Sequence, residues 1–307
     1  MRLVFAGTPE PAVPSLRRLA ASDHDIAAVI TRRDAPLGRR RVLTPSPVAA
    51  AAEELGLDTI RADRLDSSTT ERITALAPDL GVIVAYGGLV REPLLSAPAH
   101  GWINLHFSLL PRWRGAAPVQ HALIAGDATT GASVFQLVAD LDAGDVYAEQ
   151  TRTISPDTTA GELLAELAES GAGLFAEVVD AIAAGSAVAR PQVGESTYAA
   201  KLADADGAVR WTEPQTSVLG RIRGVTPEPG AHTTIDGGRL KLLAVRAAAT
   251  DAPALVPGGL ALHDREVVVG TGTAPISLDI VQPAGRGPMR AADWWRGLRR
   301  TDLVAGS

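Results

Sequence analysis

Residues 103–118 read "INLHFSLLPRWRGAAP", a run that starts like a buried strand and ends like the approach to a helix. In a strand, residues two apart share a face, so Asn104 and His106 converge on one small volume while Ile103 and Leu105 face the other way. Two polar side chains where an apolar strand runs out resemble a site. A buried His–Asn pair satisfied inside a core would read the same way, so the surrounding sequence has to decide.

Upstream, "RLVFA" (2–6), "DIAAVIT" (25–31) and "DLGVIVAY" (79–86) are nearly continuous apolar runs. Such runs fit parallel strands buried on both faces. Between them "AVPSLRRLAAS", "SPVAAAAEELG" and "STTERITALA" have helical spacing, with Ser46 and Ser68 expected as N-caps. Strand alternating with helix predicts an α/β domain with a mostly parallel, Rossmann-like sheet. In such sheets sites gather at the carboxyl ends of strands, where "INLH" leaves its polar pair.

Downstream, the strand "GASVFQLVA" (131–139) leads into "DLDAGDV" (140–146), and a long helix is expected over 158–184. Short β-like runs follow beyond residue 209: "HTTI", "RLKLLAV", "EVVVGT" and "ISLDIV", separated by Gly and Pro turns, then a terminal helix in "RAADWWRGLRR". This pattern predicts a small β-barrel. The expected division is a first domain over 1–188, a linker over 189–208 rich in Gly, Ser, Pro and charge, and a second domain over 209–307.

The chain has 307 residues and no cysteine, which excludes disulfides, cysteine nucleophiles and thiolate metal sites. No window approaches the roughly 18–20 apolar residues of a membrane span. The opening "MRLVFAGTPEPA" has an apolar run too short for a signal peptide, so a cytoplasmic location is expected. No exposed apolar helix or edge strand asks for a partner, and a monomer is the default. Net charge is −6, but residues 209–307 hold 12 Lys or Arg against 9 Asp or Glu. The acidic first part has one exception, with Arg32, Arg33, Arg39, Arg40 and Arg41 inside ten residues. That cluster reads either as a solvated loop or as a phosphate-binding loop built on the guanidinium fork.

"FAGTP" (5–9) lacks the G-x-G-x-x-G spacing of a dinucleotide site, which disfavours a nicotinamide cofactor. The six histidines include no H-E-x-x-H pair, so no metal is expected. Imidazole and amide at the strand end, with Asp140, Asp142 and Asp145 on a Gly-containing loop, are a toolkit for acyl transfer: one group moves protons, one charges the imidazole, one stabilises an oxyanion. No Ser sits in a G-x-S-x-G elbow, so direct transfer to a bound amine is favoured over an acyl-enzyme.

"NLHFSLLPRWRGAAPVQ" (104–120) together with "LDAGD" (141–145) resembles the formyltransferases that use 10-formyltetrahydrofolate, and the whole chain is similar to those acting on methionyl-tRNA. The resemblance runs from "FAGTPEPA" through "TPSPV" (44–48) and "VAYG" (84–87), then through "STYAAKL" (196–202) to "VQPAGRGPM" (281–289). It departs at Phe107, where a small Gly is familiar. It implies a formyltransferase domain joined to an OB-like barrel, catalysis by Asn104, His106 and Asp142, and a folate-binding segment of Ser108, Leu109, Leu110 and Pro111 with Tyr86 and Gly87. It further implies 10-formyltetrahydrofolate as formyl-donor cosubstrate, initiator methionyl-tRNA as partner, and tRNA contact by Arg39, Arg40 and Arg41. Two other readings share these residues: a folate-dependent formyltransferase acting on a small amine, and a non-enzymatic RNA-binding module.

Overall fold

The computed structural model describes residues 1–38, 41–298 and 302–306. Its contacts divide the chain into two units: residues 1–116, 130–152 and 164–198 form the first, and residues 117–129, 153–163 and 199–307 the second.

In chain order the strands of the first unit are β1 (Arg2–Gly7), β2 (Asp25–Thr31), β3 (Ala35–Leu37), β4 (Val42–Thr44), β5 (Thr59–Arg61), β6 (Leu80–Val84), β7 (Trp102–His106), β8 (Arg114–Gly115), β9 (Thr129–Gln136) and β10 (Val146–Thr153). Seven of them make one sheet in the order β10-β9-β7-β6-β1-β2-β5. β5, β2, β1, β6 and β7 run parallel, and β9 joins β7 antiparallel. β1 and β6 are buried along nearly their whole length, as the unbroken apolar runs require. The chain winds outward from β1 through β2 to β5 and returns to β1's other side as β6, so β1 and β6 flank the switch point where open α/β sheets hold ligands.

Helices α1 (Val13–Ala20), α2 (Pro47–Glu54) and α3 (Ser67–Ala75) connect these strands. Ser46 caps α2 as expected, accepting from Ala49 N, with Pro47 in the first turn where its missing N–H is harmless. The cap of α3 differs from expectation. Asp66 accepts from Thr69 N, and Ser68 lies inside the helix with its hydroxyl donating to Asp66, because a carboxylate is a stronger acceptor for the orphan amides.

Trp102 is fully buried and its indole N–H donates to Leu94 O at 2.8 Å. Its ring occupies the space beside Gly81 on the neighbouring strand, where a Cβ would fall 2.1 Å from Trp102 Cδ2. The long helix α5 (Ala160–Ala183) meets the other face of β7 at Gly171, against Leu105. Leu105 therefore faces α5, and the alternation of the strand turns Asn104 and His106 away from it.

Within the arginine-rich segment residues 35–37 are strand, while Arg32, Arg33 and Arg41 lie in loop and turn. β3 and β4 pair antiparallel with Leu37 opposite Val42, a hairpin that presents Leu37, Val42 and Leu43 to solvent. Arg39 and Arg40 lie outside the described residues, and Arg41 is exposed on the turn at φ 50°.

In the second unit α4 (Pro118–Ala125) ends at Gly126 in the left-handed conformation and packs on α6 (Gln215–Gly224), whose Gly220 and Gly224 admit the α4 backbone. β11 (Tyr198–Ala199) precedes α6, and then β12 (His232–Ile235), β13 (Gly238–Ala247), β14 (Leu260–His263), β15 (Glu266–Val269), β16 (Ile276–Pro283) and β17 (Met289–Arg290) form an antiparallel sheet in the order β12-β13-β16-β15-β14, with β17 on β16. Beyond α7 (Ala291–Arg296), Ala305 bridges Ile235 at the end of β12 and Val304 bridges Gly259 beside β14. The last described residues thus join the sheet's two edges into a barrel around Trp211, Leu242, Val267, Leu278, Trp295 and Leu303. Among the described residues no helix is long and apolar enough to cross a membrane.

Candidate active site

β7 delivers Asn104 and His106 to the carboxyl edge of the sheet, between β6 and β9, where His106 stands opposite Ser133. His106 is buried, with the Phe135 ring edge-on at 6.3 Å. Its Nε2 lies 2.8 Å from Trp113 O. A carbonyl only accepts, so Nε2 carries the proton and donates it. Nδ1 then presents its lone pair toward Asp142 Oδ2, 3.8 Å away. Burial pushes the His106 imidazole below its ordinary range, against the opposing pull of the Asp142 charge and the Trp113 hydrogen bond. The resting pair is thus two acceptors face to face beyond hydrogen-bond reach, and a donor placed against both would satisfy both.

Asp142 is buried and its Oδ2 accepts from Gly115 N at 2.7 Å. Its backbone is left-handed, φ 46°, as are Trp113 at φ 59° and Ala85 at φ 47°. Non-glycine residues in this region persist only where surrounding structure holds them; Ala85 directly follows β6, and Trp113 and Asp142 flank the His106 ring. Asn104 is half-buried, and its Oδ1 is enclosed with no hydrogen-bond partner among the described residues. An enclosed acceptor without a donor costs about 1–3 kcal/mol, which a bound N–H would recover.

Comparison with known proteins matches the description "Formyl transferase" over residues 1–179 and "Formyl transferase, C-terminal domain" over residues 201–299. The chain belongs to the formyl transferase family. Among its relatives are the methionyl-tRNA formyltransferases of Clavibacter sepedonicus, 61% identical over 305 residues with 99% of this chain and 100% of that one covered, and of Leifsonia xyli subsp. xyli, 63% identical over 297 residues with 97% of each covered. Of solved structures, the N-formyltransferase of Helicobacter canadensis, in complex with folinic acid and dTDP-3-aminofucose, superposes at a TM-score of 0.70 over 92% of this chain and 98% of that one, at 16% identity. That likeness shows the formyl transferase fold alone.

Within this formyl transferase the predicted residues have unequal surroundings. Asn104, His106 and Asp142 gather as described. The segment after His106 is a tight turn. Phe107 is buried, Ser108 donates to Arg112 O at 2.5 Å, Leu110 N donates to Ser133 Oγ at 3.2 Å, and the Leu110–Pro111 bond is cis. The Ser108 hydroxyl is engaged inside the turn. Leu109, half-buried, is the member of the turn with side-chain surface to offer. Tyr86 is buried with its hydroxyl donating to Ala62 O, so only its backbone faces the switch point, where its carbonyl accepts from Thr8 Oγ1. Gly87, at φ 76°, accepts from Arg32 through its carbonyl at 2.6 Å. This bond withdraws Arg32 from the basic cluster.

Several contributors were not legible in the sequence. Trp113 acts through its carbonyl and Gly115 through its N–H, which no side-chain pattern reveals. Ser133 is fully buried in β9, with Oγ 2.7 Å from Ser108 O and 3.0 Å from Glu149 Oε1. A serine inside the apolar run "GASVFQL" was the one available signal.

Proposed function

We propose that the protein transfers the formyl group of 10-formyltetrahydrofolate to the α-amine of methionine on initiator methionyl-tRNA, for translation initiation. The observation that carries the reading is likeness along the whole chain, C-terminal domain included, to methionyl-tRNA formyltransferases of two organisms. The arrangement at the end of β7 supplies the chemistry.

The residues present fit a formyl donor and an amine. Asn104 offers one planar amide whose Oδ1 can accept from the attacking amine while its Nδ2 donates to the oxygen that becomes negative. One such donor typically lowers the barrier by roughly 3–4 kcal/mol. As the new C–N bond forms, the neutral Nδ1 of His106 takes the amine proton. The imidazolium then pairs with Asp142, which offsets the desolvation that otherwise keeps His106 neutral. His106 returns that proton to the folate nitrogen as its bond to the formyl carbon breaks, so no group on the enzyme stays modified. This reading uses no metal.

Arg41 on the β3–β4 hairpin, with its sequence neighbours Arg39 and Arg40, contacts the acceptor end of the tRNA, and the barrel of the second unit, in the basic end of the chain, holds the tRNA body. The protein acts as a monomer in the cytoplasm, where charged initiator tRNA is found. The deciding assay is transfer of labelled formyl from 10-formyltetrahydrofolate to methionyl initiator tRNA, with elongator tRNA and free amines as controls. Transfer to the initiator alone is expected, and label appearing only on small amines would overturn the substrate assignment.

A further inference from the structure

We propose that Gln192 and Thr197, on the segment that follows α5, are positioning residues that hold Asp142 and the Trp113 carbonyl on either side of His106. The side-chain amide of Gln192 donates both its hydrogens, to Asp142 O and Gly144 O, each at 2.8 Å. Its Oε1 accepts from Arg114 Nε at 3.1 Å and from the same guanidinium's Nη2 at 2.6 Å. Carbonyls only accept and a guanidinium only donates, so the amide fits in this orientation and no other, and its full bonding capacity is used.

Thr197 does the same for the opposite arm. Its Oγ1 accepts from Trp113 N at 2.9 Å, and its carbonyl accepts from Arg114 N at 2.8 Å. Reciprocal backbone bonds of 2.8 and 2.9 Å between Val146 and Arg190 pin the start of the segment to β10. The two residues it steadies, Asp142 and Trp113, are the left-handed non-glycine residues that touch His106. A backbone conformation of that kind needs such over-determination. Residues 190–197 lie beyond the stretch matched to the N-terminal family description, so their part in the site is a property of this connecting segment.

The test pairs turnover with the titration of His106 followed by 15N-imidazole NMR. The charged group facing the ring is Asp142; the Trp113 carbonyl and the Phe135 ring, its other neighbours, do not titrate. Gln192→Glu keeps the acceptor for Arg114 but turns an oxygen toward two carbonyls, and Gln192→Leu removes both functions. Thr197→Val removes the acceptor that Thr197→Ser keeps.

Both Gln192 variants and Thr197→Val are expected to lose about tenfold to hundredfold in kcat, with KM for tRNA and folate nearly unchanged, as displaced catalytic groups do. In the Gln192 variants the His106 midpoint should fall, because Asp142 no longer stands beside the ring, and Thr197→Ser should restore turnover. Wild-type kcat in Gln192→Glu, or reduced turnover with an unmoved midpoint in both Gln192 variants, would overturn the proposal. The turnover arm rests on the formyl-transfer reading and the titration arm does not. A wild-type protein that moves no formyl group while its Gln192 variants shift His106 would refute that reading and leave the clamp standing.

Discussion

The carbonyl of Trp113 lies 2.8 Å from His106 Nε2 and thereby decides which nitrogen of the ring faces the carboxylate of Asp142. A backbone atom seven residues further along the chain sets the tautomer of the imidazole, and Asp142 meets a lone pair rather than an N–H.

Asn104→Ala and the near-isosteric Asn104→Asp each remove the amide donor while leaving β7 in place. Turnover is expected to fall by about 10²- to 10³-fold in both. Affinity for tRNA, read by filter binding, should stay within the wild-type range, since neither change alters a basic side chain.

Asp142→Asn preserves shape and removes charge. The charge of Asp142 holds the His106 imidazole higher than burial alone would, so its loss moves the midpoint further down. The acid limb of the kcat profile should shift to lower pH as turnover drops. An unmoved limb would detach His106 from the rate.

His106 also makes stability depend on pH. Its folded value lies below the ordinary 6.5, so the unfolded chain binds the proton first. The stabilising contribution is fully present above about 6.5 and is lost as pH falls through the folded value. His106→Asn should flatten the fall of denaturant-unfolding free energy across that window while leaving the neutral plateau parallel.

Replacing Arg39, Arg40 and Arg41 together by Ala should weaken tRNA binding at low salt. The slope of log affinity against log salt should become shallower by roughly one for every phosphate these guanidinium groups neutralise. An unchanged slope would reassign the hairpin to a role carried by exposed Leu37, Val42 and Leu43.

Gly81→Ala would drive a methyl group into the Trp102 indole. Overpacking of this kind costs about 1–3 kcal/mol or more, visible as a lower thermal midpoint. Gly81→Ala combined with Trp102→Leu should regain part of the loss.

The central sheet was legible because strands buried on both faces must be apolar, as β6 is throughout and β1 is beyond its exposed Arg2. Asn104 and His106 were legible because a two-residue period assigns a face without any partner being known. The β3–β4 hairpin was not: its apolar residues are exposed, so burial did not write its pattern, and the arginines in this stretch of sequence pointed only to a solvated or a phosphate-binding loop. Asp66 displaced Ser68 as a cap by only two residues, a choice that competing acceptors settle in three dimensions. Gln192 left no trace either, since a side chain bonded to two carbonyls and a guanidinium obeys no periodicity along its own segment.

The seam at Val304 and Ala305 makes the closure of the barrel depend on a very short segment. β12 and β14, the two edges of the second unit's sheet, acquire a shared neighbour only when that short segment arrives. Without it the two edges have no partner in common and the lining around Trp211 and Leu303 stays open on one side, so a pair of bridged residues, rather than a long strand, carries the closure of the barrel.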